Sequence, residues 1–509
     1  MPPKSGRVAK QVQTATRRSS RNKGIAVRLQ KHQGQNNEKE DQQAEEEERL
    51  HERDLVVAND KRDNDAIAKL SNVHLSEEQQ KLRDRVLEFC RDSLRLFNET
   101  QRPSVFVIQG DAGTGKSVVL NALFNELQRQ ARVTAGGQTK GDEDDADEDE
   151  NNDGDSLAST ENYLVVNHPE MLKLYHRISA QFPYIRKSDL ERPTSLINRL
   201  QKERPHGRDS VGLADVILVD EAHLLLSRKN AYKRFFGDNQ LEELLKLSKV
   251  LVIVFDSKQS LRFDAFWNDA KLEEYLGGGG TALSVVRHQL QEQFRVAAAP
   301  DMQRWIQALS VERQVLPRPT NDAARRAAGD AHAFDFQIYE DAGELYRDLM
   351  QRNDEHGGGC RLLSTYDWPY RLPKPGQGGT AQKVWYVECG SFRIPWDKYL
   401  PQIREPWSEQ PDTYHYCGSV YTIQGFDLTY AGVILGPSIG YDTATNSVIV
   451  RHDRYEDHAA FIGRKNDETA AADKERIVLN SVNVLLTRGV RGLYLYAYDP
   501  VLRKRLLAC

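Results

Sequence analysis

Gly110, Asp111, Ala112, Gly113, Thr114, Gly115, Lys116 and Ser117 read G-x-x-x-x-G-K-S, a spacing suited to one chemistry, the binding of a nucleoside triphosphate. Glycines let the backbone wrap closely around phosphate oxygens, so that amide N–H groups and a helix N-terminus face the negative charge. In such a loop Lys116 reaches the β- and γ-phosphates and the Ser117 hydroxyl holds Mg²⁺. A second acidic centre follows. Val216-Ile217-Leu218-Val219 runs into Asp220-Glu221-Ala222-His223. Asp220, at the end of an apolar strand, is placed to hold Mg²⁺ through its water shell, and Glu221 to polarise the water that attacks the γ-phosphate. His223 suits packing or coupling equally. Gln259, in Phe255-Asp256-Ser257-Lys258-Gln259, either contacts the γ-phosphate or its attacking water, or is a surface glutamine. Gln79 is either an adenine-reading amide or the third helical residue of a capping box with Ser76.

These residues need rigid elements beneath them. Val105-Phe106-Val107-Ile108 predicts a buried strand, and Val119, Leu120, Leu123, Phe124 and Leu127 predict one face of the helix that follows. The pattern continues with a helix from Ser76 onward, a strand over 163–166, a helix near 170–178, and strands over 216–219 and 250–255. Strands alternating with helices predict an α/β fold, a doubly wound parallel sheet with ligand groups at the strand C-terminal ends. A second α/β pattern is expected from about Leu283, with strands over 334–339, 361–364, 414–421, 432–435 and 492–498 and a helix over 344–350. The predicted organisation is a charged N-terminal region over 1–70, a first lobe over 71–284 and a second over 285–509.

The 509 residues, 28% of them charged, carry a formal net charge of -5 that hides local asymmetry. Residues 1–35 contain many Lys and Arg and no acid, so disorder is expected. That stretch suits a nuclear-import signal, an organelle transit peptide, a nucleic-acid-binding arm or a plain solvated tail. Residues 141–155 hold ten Asp or Glu within an acidic insertion placed at about 133–160, a solvated loop able to bind basic proteins or the N-terminal arm. Five scattered cysteines without a C-x-x-C pair argue for a reducing compartment, nucleus or cytoplasm. No apolar run is long enough to span a bilayer and no signal-peptide core follows Met1, so no membrane partner is expected.

A site built on one sheet leaves the γ-phosphate side open, where arginines from elsewhere commonly meet transition-state charge. Arg295, in Gln293-Phe294-Arg295, and Arg488, in Leu486-Thr487-Arg488-Gly489, are candidates, though either alone reads as a surface arginine. The order of motifs resembles a superfamily-one DNA/RNA helicase core, and more closely the Schlafen group-three-type DNA/RNA helicase domain family. Gly110 to Ser117, Asp220 to His223, Asp256 to Gln259, Gln293-Phe294-Arg295, Ile423-Gln424-Gly425-Phe426-Asp427 and Leu486-Thr487-Arg488-Gly489 carry that resemblance, in family order. It implies two RecA-like lobes with ATP in the cleft between them. It also implies Gln424 and Gly425 in the motif coupling nucleotide to nucleic acid, and Arg295 and Arg488 as γ-phosphate arginines. One departure is Phe255, where such helicases usually carry glycine before the aspartate.

The expected activity is an ATP-dependent nucleic-acid translocase or helicase acting on single-stranded DNA or RNA. A nucleotide-dependent switch and a ring-forming protein-remodelling ATPase are the rivals. Tyr366, Trp368, Tyr370, Arg371, Lys374, Trp385, Tyr386, Arg393 and Trp396 are candidates for a stacking groove, but such density more often means a packed satellite core.

Overall fold

β1 (Ser104–Gly110) is apolar on both faces, as a central strand with helices on each side must be. It forms hydrogen bonds on either edge in a sheet of six parallel strands, with β2 (Asn162–Val166), β3 (Leu190–Glu191), β4 (Ala214–Asp220), β5 (Ser248–Phe255) and β6 (Ser284–Leu290). The spatial order is β3-β2-β4-β5-β1-β6. The computed structural model describes residues 75–110, 113–136, 157–203, 213–277, 284–290, 300–320, 322, 325, 333–370, 384–397, 406–462 and 468–509. The basic N-terminal stretch, the acidic run 141–155, Asp111, Ala112, Arg295, Arg371 and Lys374 lie outside them.

Helices cover this first sheet. α1 (Glu77–Thr100) starts at the Ser76–Gln79 capping box that the spacing predicts. It packs Phe89 edge-on against Phe106 with ring centroids 5.2 Å apart. α2 (Lys116–Gly136) buries Val119, Leu120, Leu123, Phe124 and Leu127 completely. α3 (Pro169–Ser179), α4 (Pro193–Glu203), α5 (Gln240–Lys246) and α6 (Asp269–Gly277) complete the lobe. Register places the strand ends together, with Gln109 beside Phe255, Val219 beside Ile253 and Val166 beside Asp220. The loops leaving β1, β4 and β5 therefore share one edge.

The second sheet is also wholly parallel. It joins β7 (Asp335–Ile338), β8 (Cys360–Ser364), β11 (Cys417–Gly418), β12 (Leu428–Leu435) and β15 (Gly489–Ala497) in the order β11-β8-β12-β15-β7. Two antiparallel pairs lie outside it, β9 (Tyr386–Cys389) with β10 (Phe392–Pro395) and β13 (Ile439–Asp442) with β14 (Ser447–Val450). α7 (Pro300–Gln307), α8 (Ala342–Glu355), α9 (Val420–Ile423), α10 (Glu468–Leu486) and α11 (Pro500–Ala508) belong to this half. The whole is an α/β molecule of two parallel-sheet lobes.

Two expectations are corrected. The second α/β pattern does not open near Leu283: β6 pairs with β1 from Ser104↔Ser284 to Gly110↔Leu290 and so closes the first sheet. The strand expected over 414–421 is two residues of β11 followed at once by α9, because Ser419 and Thr422 form a capping box that turns the chain. The aromatic-rich segment supplies a core, as its density suggests. Trp368 and Trp396 are buried, the Trp396 indole donates to the Trp368 carbonyl at 3.1 Å, and Tyr366 packs edge-on to Trp396 at 5.4 Å. Trp368 and Trp396, enclosed in this way, are not open to stacking by a strand.

Candidate nucleotide site

The loop between β1 and α2 turns through Gly113 at φ 90° and Gly115 at φ 75°, left-handed values that side chains resist. Lys116 then opens α2, buried, with Nζ donating to the Gly110 carbonyl at 2.7 Å and lying 3.7 Å from Asp256 Oδ2. An ammonium so placed, over a glycine-built concavity and beside a helix N-terminus, is the donor set that phosphate oxygens require.

Asp220 ends β4 wholly buried. Its Oδ1 accepts from Ser117 Oγ at 3.2 Å and from the Glu221 amide at 3.0 Å, and its Oδ2 accepts from Tyr175 OH at 2.9 Å. Burial, with the neighbouring Glu221 charge, pushes its carboxyl up to about 7 against those hydrogen bonds. A hydroxyl and a carboxylate oxygen side by side, on a group destabilised for want of positive charge, fit Mg²⁺. Ser117 and Asp220 are the residues that would hold it, and its chemistry there would be to shield charge on phosphate oxygens.

Glu221 has φ 52° and ψ 49°, a left-handed conformation in a non-glycine residue. This turn carries the chain from β4 directly into a short 3-10 helix, Ala222–Leu224, and sets Glu221 Oε2 3.1 Å from His223 Nε2. Burial, helped by Lys116, depresses the His223 imidazole to about 4 in spite of Asp256 and Asp220, so the ring is neutral at pH 7. At the end of β5, Asp256 caps the 3-10 turn Ser257–Gln259, accepting from the Lys258 amide at 3.1 Å and from Gln259 Nε2 at 2.7 Å. Its carboxyl would rise on burial, but Lys116 and then His223 hold it below its ordinary range. Gln259 is thus buried within one network with Lys116, and Phe255 fills the core where glycine was expected.

The second lobe meets this network directly. Gln424, which ends α9, lies with its amide nitrogen 3.4 Å from His223 Nε2. Gly425 adopts φ 87°, and a Cβ there would stand 2.8 Å from Met171 Cγ on α3. Arg488 is buried; it donates to the carbonyls of Val484 at 2.8 Å and Phe426 at 3.4 Å, so it braces the segment that carries Gln424. Gln79 forms the capping box, its Oε1 accepting from the Ser76 amide at 3.1 Å. Tyr175 and Asn480 were not singled out by spacing. Tyr175 reads as one more apolar position on α3, and Asn480 as a polar break in an apolar helix.

With the geometry established, comparison with known proteins assigns the family. A family model described as Schlafen group 3, DNA/RNA helicase domain matches residues 103–499. The chain belongs to this helicase-domain family. The uncharacterized protein YPL245W of Saccharomyces cerevisiae is 49% identical to this Schlafen group 3 helicase domain protein over 452 residues, covering 87% of this chain and 92% of the yeast protein. Among solved structures, a Pif1 helicase from Candida albicans is similar at 14% identity and a TM-score of 0.28, over 85% of this chain and 96% of that one. The Arterivirus nonstructural protein 10 helicase, solved with DNA, is similar at 12% identity and a TM-score of 0.27. That match covers 81% of this chain and 63% of the viral one.

Proposed function

We propose that the chain is an ATP-dependent nucleic-acid translocase of helicase type, hydrolysing ATP between its lobes. One observation carries this reading: Gln424 and Gly425 of the second lobe touch His223 and Met171 of the first, within two contacts of Glu221. A motor requires such a connection, because lobe movement must depend on the state of the phosphate site. Lys116 and the glycine-lined loop bind the phosphates, Glu221 takes a proton from the attacking water, and Gln259 orients that water or reads the γ-phosphate. Arg488 and Arg295 are assigned to the γ-phosphate side, where Arg488 exchanges a carbonyl partner for phosphate as the cleft closes.

The test is steady-state ATP hydrolysis by the full chain with and without single-stranded DNA and RNA oligonucleotides. Stimulation of tenfold or more is expected. A flat response to every oligonucleotide would replace the motor with a nucleotide-dependent switch.

A further inference from the structure

Six residues beyond the catalytic acids, the chain enters a turn that the nucleotide site does not use. Residues 227–236 read Ser-Arg-Lys-Asn-Ala-Tyr-Lys-Arg-Phe-Phe, four cations and three aromatics without one acid. Asn230 and Phe235 close the turn with paired backbone hydrogen bonds, both 3.0 Å. The Asn230 side chain accepts from the Lys233 amide at 3.1 Å and donates to Asp264 at 2.9 Å. Phe235 is buried in the first lobe's core, and Arg234 takes the left-handed value φ 56°. The apex is therefore built and held.

What it holds out is Tyr232, 97% exposed, and Phe236, 64% exposed. Lys233 pairs with Asp264 at 3.1 Å, and Lys229 Nζ stands 5.7 Å from the Phe236 ring centre. Among the described residues Lys229 and Arg234 have no acidic partner. Arg228, at the base, donates to the Ile462 carbonyl of the second lobe at 2.6 Å. Two rings held out to water on a fixed turn add little to the lobe's own core and are open to a partner. Flat faces interleaved with cations match a polymer with alternating stackable rings and negative charges.

We propose that the 227–236 turn is a single-stranded nucleic-acid contact, with bases stacking on Tyr232 and Phe236 and adjacent phosphates meeting Lys229 and Arg234. The assignment rests on the motor reading. Its position follows from connectivity, since the turn leaves the catalytic segment 220–224 directly and is tied to the second lobe at Arg228. An acidic peptide, including the chain's own 141–155 run, would satisfy the cations but leave both rings in water.

The experiment uses the full chain and two variants, Tyr232→Ala/Phe236→Ala and Lys229→Gln/Arg234→Gln. Anisotropy of labelled dT20 and U20, read over a range of salt, distinguishes DNA from RNA. Unstimulated ATP hydrolysis and thermal unfolding check the fold and are expected to match wild type. Loss of the two rings weakens oligonucleotide binding about tenfold or more without changing the salt slope. Loss of the two cations flattens that slope by about 1.4. If the wild type binds and is stimulated while the ring variant binds equally well, the turn assignment fails and the motor stands. If no oligonucleotide binds or stimulates the wild type, both fall. Competition by poly-glutamate as effective as by oligonucleotide of equal charge, unaffected by the ring substitutions, would make this an acidic-peptide site and overturn the proposal.

Discussion

Glu221 stands in a backbone region that costs a non-glycine residue on the order of 1–2 kcal/mol, yet its amide bonds Asp220 and its carboxylate faces a neutral imidazole at 3.1 Å. The strain has a use: it turns the residue after β4 away from the strand direction, so that two adjacent carboxylates serve different partners. Asp220 faces Ser117 and Tyr175, and Glu221 faces His223. Lys116 and Glu221 then separate by experiment. Lys116→Ala removes the charge above the glycine loop, and hydrolysis should fall roughly 10²–10³-fold with nucleotide affinity weakened too. Glu221→Gln keeps shape and backbone while removing the proposed base, so turnover should fall about 10²–10⁴-fold with affinity retained. Single-turnover hydrolysis beside fluorescent-nucleotide titration reads both. Normal turnover in Glu221→Gln would reassign the base.

Between β8 and β12 an element-scale device recurs, a buried carboxylate joining strand ends. Asp367 Oδ2 accepts from Ser438 N at 2.7 Å and Thr365 Oγ1 at 3.1 Å, while Thr365 Oγ1 accepts from Gly436 N at 2.8 Å. Burial, with a smaller push from Glu456, lifts the Asp367 carboxyl to about 7 against those hydrogen bonds. Because the folded value lies above the unfolded 3.8, this contribution is fully present below about pH 4 and is lost as pH rises through 7. Asp367→Asn keeps the acceptor and removes the titration. Its stability relative to wild type should therefore grow by roughly 4 kcal/mol from pH 4 to pH 8, measured by urea unfolding; a pH-independent difference would count against a raised value. Asp367 shows how much of this lobe was illegible in sequence. β1, β4 and β5 are buried on both faces and end at, or one residue before, a glycine or an acid, so apolar runs located them and their chemistry together. β6, Ser-Val-Val-Arg-His-Gln-Leu, is half polar and hydrogen-bonded on one side, and nothing in its composition says which sheet it joins. Residues 414–421 looked like a strand because Tyr, Cys and Val favour one, but the Ser419 capping box overrides that propensity after two paired residues. Arg488 read as a γ-phosphate arginine, while its enclosure by the carbonyls of Val484 and Phe426 depends on the close approach of segments 62 residues apart.

Across the whole molecule, the two lobes touch through the loop after β5. Asn480 on α10 donates to the carbonyls of Ser260 at 2.8 Å and Ser257 at 3.4 Å, one on each side of Gln259. Nearby, Arg262 lies 5.9 Å from the centre of the Tyr421 ring, and Phe263 packs with Ala460 and Ile477. A chain of contacts thus runs from α10 through Gln259 and Asp256 to Lys116, each member buried. Removing its first link leaves two carbonyls without their side-chain donor, a cost of about 1–2 kcal/mol, and frees the loop to move independently of α10. Asn480→Ala is expected to bind nucleotide as tightly as wild type and to hydrolyse it at nearly the basal rate, since no group at the phosphates is altered. Its stimulation by single-stranded oligonucleotide should fall about tenfold, because on the proposed function a strand bound across both lobes would report to Gln259 through the loop that α10 grips. The comparison is of kcat ratios with and without oligonucleotide, wild type against variant, at matched nucleotide saturation. Full stimulation in Asn480→Ala would shift the coupling to another contact between the lobes, first His223 with Gln424, and the corresponding test is His223→Ala under the same conditions.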